Sequence, residues 1–141
     1  MFEAEKDKYL MKHGFGATRL KAVLFDMDGV LFDSMPNHAY SWSHAMTQFG
    51  LHITPEEAYM HEGRTGGGTI DLLAQRDWGR RATEEEKQTI YKAKSDVFSR
   101  CPEAPRMPGA YELLKKVKAD GFTPMVVTGS GPVSYTHLTL P

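Results

Sequence analysis

Apolar and polar positions follow three rhythms along this chain. Ala22-Val23-Leu24-Phe25 is an unbroken apolar run bounded by Lys21 and Asp26, the pattern of a strand covered on both faces of a parallel sheet. A second run, Thr123 to Thr128, follows a segment in which Ala110, Leu113, Leu114 and Val117 recur at i, i+3, i+4 and i+7. That spacing predicts an amphipathic helix feeding a strand. Pro108 is placed to open the helix and Gly121 to close it, and Pro124 sits in the strand's first turn, where a missing N–H is tolerated.

Between these runs the texture is helical. Ser34 or Asn37 opens a helix through His44 to Phe49, with Tyr40, Ala45, Met46 and Phe49 as its buried stripe and Gly50 as its stop. Thr54-Pro55-Glu56-Glu57 and Thr83-Glu84-Glu85-Glu86 read as capping boxes that each start a new helix. Gly63 to Gly68 reads as a glycine-rich loop before a helix from Ile70 to Trp78, and the helix from Thr83 ends before Cys101-Pro102. Residues 1–20 read as a charged lead-in with a short helix from Lys6 to Lys12, broken by Gly14 and Gly16. The fold class is therefore α/β. Its parallel-sheet core is split between residues 21–34 and 102–131, an all-helical cap spans 35–101, and a tail occupies 132–141.

Composition narrows the functions available. With 141 residues, 40% of them hydrophobic and 25% charged, the chain suits one modest globular unit and not a disordered one. Seventeen basic against eighteen acidic residues leave a net charge of -1, which disfavours a nucleic-acid or anionic-membrane partner. Cys101 is the single cysteine, so no internal disulfide framework or cysteine-rich zinc module is possible. The N-terminal stretch lacks an apolar signal core and no segment has the length of a membrane span. A cytoplasmic location is expected.

Asp26-Met27-Asp28-Gly29 lies where the first strand runs out, the place where open α/β sheets bind ligands. Two carboxylates one residue apart can share a small site with Mg²⁺, and one can attack phosphorus. Gly29 allows a sharp turn behind them. On spacing alone, ordinary strand-end turn residues fit equally well; an EF-hand fits worse, because Gly29 comes fourth and not sixth. Thr128 alone would be an ordinary strand-end residue.

Phe25-Asp26-Met27-Asp28-Gly29-Val30-Leu31 with Asp33-Ser34 resembles the first motif of the haloacid dehalogenase-like superfamily of phosphohydrolases, and Val126-Val127-Thr128-Gly129-Ser130 resembles the second. The resemblance covers residues 20–131 and is nearest to the β-phosphoglucomutase-like members with a helical cap. It implies a partial Rossmann-like core in which Asp26 is the nucleophile that forms an aspartyl-phosphate. Asp28 would be the acid and base, its pKa moved toward neutrality, and Mg²⁺ would rest on the Asp26 carboxylate and the Asp28 backbone carbonyl. Thr128, Gly129 and Ser130 would hold the phosphoryl group. It further implies that His38 faces the site and that Arg64 grips a distal anionic group, although a linker role for the Arg64 loop weighs equally. The remaining histidines, His61 among them, read as packing or surface, and Trp42, Trp78 and Tyr91 as cap core.

The implied substrate is a small phosphorylated metabolite, sugar phosphates included, handled by a hydrolase or by a sugar-phosphate mutase; the full-length parent is expected to be a monomer. The superfamily's third-motif lysine and fourth-motif acidic pair lie well downstream of the second motif. A chain ending at Pro141 is expected to lack both and to be a non-catalytic N-terminal fragment. The tail from about Val133 resembles translated sequencing-adaptor sequence and reads as non-native.

Overall fold

The computed structural model describes residues 2–131; the tail that reads as non-native lies outside them. In chain order the elements are α1 (Glu3–His13), β1 (Ala22–Phe25), α2 (Met35–Thr47), α3 (Pro55–Met60), α4 (Gly66–Asp77), α5 (Glu84–Phe98), α6 (Ala110–Ala119) and β2 (Thr123–Val126). β1 and β2 pair in parallel with Ala22 opposite Thr123 and Phe25 opposite Val126. Both strands thus end at the same level, and the residues that follow them emerge side by side.

α6 covers one face of this pair. Phe25, Met27, Leu31, Phe32, Ala104 and Val117 are buried together, with Val23, Ala110, Leu114 and Phe122 against them. The other face is open: Leu24 is 63% exposed and Met125 49%. Among the described residues each strand has a single neighbour and one layer packs on the pair, so the cover that the apolar runs imply is present on one face alone. Leu113, expected in the stripe of α6, is likewise exposed, and the buried line runs through Ala110, Leu114 and Val117.

α2 to α5 form a second apolar cluster containing Ala39, Met46, Leu51, Ile70, Leu73 and Ile90, flanked by Trp42, Trp78 and Tyr91. Burying each of the large side chains contributes about 1.5–3 kcal/mol. Tyr40 is 55% exposed and not part of the stripe, since Ala39, Trp42, Ala45 and Met46 set the phase of α2 one residue earlier. Thr83 makes the full capping box with Glu86, whereas Thr54 only accepts from the Glu57 N–H. The glycine run is not a loop: α4 starts at Gly66, with Thr65 as its cap accepting from the Gly68 N–H, so the glycines form its first turn.

Two connecting segments join cap to core side by side. The Asp33 N–H donates to the Pro105 carbonyl at 2.8 Å, the Met107 N–H to Leu31 at 2.9 Å, and the Asn37 side chain to Pro102 at 2.8 Å. These bonds fix where α2 and α5 stand over the strand ends. Among the described residues no helix is long and apolar enough to cross a membrane.

Candidate active site

β1 delivers Asp26 and Asp28 to one side because side chains alternate along extended chain: Met27 between them is buried in the core. The chain then doubles back. The Met27 carbonyl accepts from Leu31 at 2.9 Å and Phe32 at 3.1 Å, and the Gly29 N–H donates to the Phe32 carbonyl at 2.8 Å. Gly29 sits at φ +73°, a conformation costly for any residue with a Cβ. On the neighbouring strand the Val127 N–H donates to the Phe25 carbonyl at 2.8 Å, which sets Thr128 beside Asp26. The Thr128 hydroxyl accepts from the Ser130 N–H at 3.0 Å. That N–H is therefore occupied, and the Thr128 O–H remains a donor.

Asp28 is buried and crowded with donors. Ser34 and Ser130 both give it hydroxyl hydrogen bonds, and His38 Nε2 lies 3.2 Å from its Oδ1. Ser34 precedes α2 but makes no cap bond; its hydroxyl is committed to Asp28. Burial raises the Asp28 pKa, but the bonds from His38, Ser130 and Ser34 outweigh it and hold the carboxyl down at about 2. This is opposite to the expected shift toward neutrality, because three donors favour the ionised form. An anion arriving beside Asp26 would push it back up.

The cap supplies a partner that sequence reading missed. Lys94, 3% exposed on α5, places Nζ 2.8 Å from His38 Nδ1. Burial lowers its pKa to about 8, with Asp28 and Glu62 among the charges opposing the shift. A protonated Lys94 can only donate, so His38 Nδ1 accepts and its Nε2–H points at Asp28. The cap thereby fixes a histidine tautomer that touches the core carboxylate. The ammonium also lies over the Phe98 ring at 4.7 Å and the Trp42 ring at 5.6 Å. The available signal was one lysine within the apolar line of α5, four residues after Ile90 and four before Phe98.

These groups line one cavity of about 120 Å³ between cap and core. Asp26, Asp28, Thr128, Gly129 and Ser130 form its floor, and His38, Glu62, Arg64, Tyr91 and Lys94 its walls and roof. The sequence-predicted residues are thus brought together, with Gly29 shaping the turn beneath. Two more residues were missed. Glu62 faces the acidic pair and is raised in pKa by burial, with Asp28 and Asp26 adding to the shift. His61, read as packing or surface, lines the cavity with a buried Nε2 that has no hydrogen-bond partner among the described residues, Glu57 Oε1 standing 3.8 Å away.

The donor set suits a hard cation only in part. The Asp26 carboxylate meets no basic side chain in an ion pair among the described residues, and Asp28 adds a backbone carbonyl. No group of three or more His, Cys, Asp or Glu gathers among those residues, so the Asp26 carboxylate and the Asp28 carbonyl would make up only part of the six or so ligands that Mg²⁺ takes.

Known proteins resemble this chain in sequence and in fold. The chain is 30% identical over 119 residues to the phosphoglycolate phosphatase of Haemophilus influenzae, covering 79% of this chain and 52% of that protein. It is 57% identical to a solved Bacteroides vulgatus protein described as a candidate beta-phosphoglucomutase, with a TM-score of 0.84 over 96% of this chain and 56% of that one. A beta-phosphoglucomutase from Clostridium difficile, 21% identical, shares the fold with a TM-score of 0.72, over 85% of this chain and 57% of that one. The chain spans about half the length of the curated relatives it matches. The family model for haloacid dehalogenase-like hydrolases matches residues 20–140, and the chain belongs to that family.

Proposed function

We propose that these residues supply the nucleophile, the acid and base and the cap of an enzyme that hydrolyses a small phosphomonoester through an aspartyl-phosphate. The observation that carries this reading is the juxtaposition of Asp26, Asp28 and Thr128 on the floor of a cavity roofed by Arg64 and Lys94. An Asp26 carboxylate oxygen attacks phosphorus in line and the ester P–O bond breaks. The departing oxygen takes a proton from Asp28, whose pKa rises once the anionic substrate is bound. Water then attacks phosphorus and gives its proton to Asp28, the bond to Asp26 breaks, and orthophosphate leaves. The Thr128 O–H and the positive side chains of Arg64 and Lys94 favour the anion throughout. Mg²⁺, held by the Asp26 carboxylate and the Asp28 carbonyl, would neutralise charge between nucleophile and phosphate.

A small cavity with Arg64, Glu62 and His61 around it favours a short-chain anionic ester, in line with the activity named for the Haemophilus relative. The name of the 57% identical structure supports a second reading, a sugar-phosphate mutase using the same nucleophile. A full-length protein carrying this segment, given a hexose 1-phosphate with a trace of bisphosphate, separates the two: free phosphate supports the hydrolase and accumulated 6-phosphate the mutase. In either case Asp26→Asn is expected to lower turnover by at least about a thousandfold, and retained activity overturns the mechanism. With part of the metal shell supplied by the described residues, the 141-residue chain by itself is expected to bind phosphate without turnover. Its location would be cytoplasmic.

A further inference from the structure

We propose that Tyr91 is the residue that limits substrate size in this cleft, an inference that rests on the phosphomonoester reading above. Tyr91 follows Ile90, which is anchored in the cap cluster, and its side chain leaves α5 toward the core. Its ring packs against the first turn of α4: a Cβ at Gly66 would come within 2.4 Å of Cε2 and 2.5 Å of Cδ2, so a side chain there would force the ring or the turn to move. The Trp42 ring meets it edge-on, with centroids 6.2 Å apart. Held on these sides, the phenol reaches across to the core. Its hydroxyl oxygen stands 3.2 Å from where a Cβ of Gly131 would be, just past the phosphate-facing Thr128 to Ser130 segment.

Tyr91 is thus a cap side chain that closes one wall of the cavity against core backbone. Glycine on both sides lets the backbone come close to the ring, and backbone does not swing aside as a side chain would. Arg64 and Glu62 line the cavity on flexible side chains, whereas the Tyr91 wall is aromatic and wedged between two stretches of backbone. A phosphate with a short acidic tail fits under it; a hexose ring would have to displace it. Discrimination by one filled position of this kind amounts to roughly 10- to 200-fold.

The test is calorimetric titration of the 141-residue chain in Mg²⁺ buffer with orthophosphate, 2-phosphoglycolate and glucose 6-phosphate, for the wild type, Tyr91→Ala and Tyr91→Phe. The wild type and Tyr91→Phe are expected to bind 2-phosphoglycolate at least about tenfold more tightly than glucose 6-phosphate, and Tyr91→Ala to shrink that ratio by about tenfold or more. An unchanged ratio in Tyr91→Ala, with orthophosphate still bound, overturns the role of Tyr91 and leaves the phosphate site standing. Failure of the wild type to bind any of the three overturns the phosphate site and this inference with it. Thermal melts report on the wall without ligand. Gly66→Ala is expected to lower the melting temperature, and Tyr91→Ala in the same chain to recover part of the loss; no loss, or no recovery, overturns the wedged packing.

Discussion

The helical cap and the two-stranded core use the same apolar vocabulary and reach different states. In the cap, four helices satisfy their own backbone hydrogen bonds and turn their apolar faces on one another, so Met46, Leu51, Ile70, Leu73 and Ile90 lose nearly all contact with water. In the core, among the described residues, β1 and β2 pair only with each other. One face keeps α6, and the other leaves Leu24 and Met125 exposed; Val126, in register with Phe25 on the α6 face, borders an apolar groove of about 580 Å³ shared with Leu31 and Leu114. Helices can complete a core from local sequence, whereas a parallel sheet depends on further strands and layers. Asp26 stands on the less covered unit and His38, Arg64 and Lys94 on the better covered one, so the two can be perturbed separately.

The contrast is broken most strongly from the cap side. Leu73→Ala is expected to cost about 2–5 kcal/mol in urea unfolding, while Leu24→Ser, on the open face of β1, is expected to stay within about 0.5 kcal/mol. Equal losses at the two positions would mean that the sheet face is covered in solution.

Lys94 gives the next largest effect. Its pKa is about 8 in the folded chain against 10.5 for a free lysine, so between these values the unfolded chain binds more protons and stability rises with pH. The rise amounts to about 3 kcal/mol at 1.36 kcal/mol per pKa unit. Lys94→Met is expected to abolish this rise and to be more stable than wild type near pH 7, while losing the control of the His38 tautomer. A flat stability profile for the wild type above pH 8 would contradict the buried ammonium.

Asp28 works in the opposite direction. Its carboxyl is held at about 2 against 3.8, so its contribution is present above 3.8 and lost as pH falls through 2. Acid melts of Asp28→Asn are expected to show a shallower loss of stability in that window than the wild type; identical acid profiles would mean that the donors around Asp28 are not formed.

The same contrast explains what sequence could reveal. β1 was legible from its own apolar run, whereas the Asp26-x-Asp28 pair and Thr128 were ambiguous as local patterns and gained roles only through the resemblance of two motifs far apart in the chain. The Lys94–His38 contact joins positions 56 residues apart, and its only local trace was a lysine inside an apolar stripe. Gly66 to Gly68 read as a loop because glycine disfavours helix, yet Tyr91 demands a bare position at Gly66 and Thr65 caps the turn. The exposure of Leu24 follows from how many strands stand beside it, which no local pattern encodes.

Rapid quenching tests the central claim most directly. A full-length protein carrying this segment would be mixed with Mg²⁺ and a ³²P-labelled phosphomonoester, quenched in acid and mapped by peptide. A hydroxylamine-labile label on Asp26, formed and lost at rates compatible with turnover and absent from Asp26→Asn, is the predicted result. Phosphate release with no labelled aspartate, or with the label on Asp28, would contradict it.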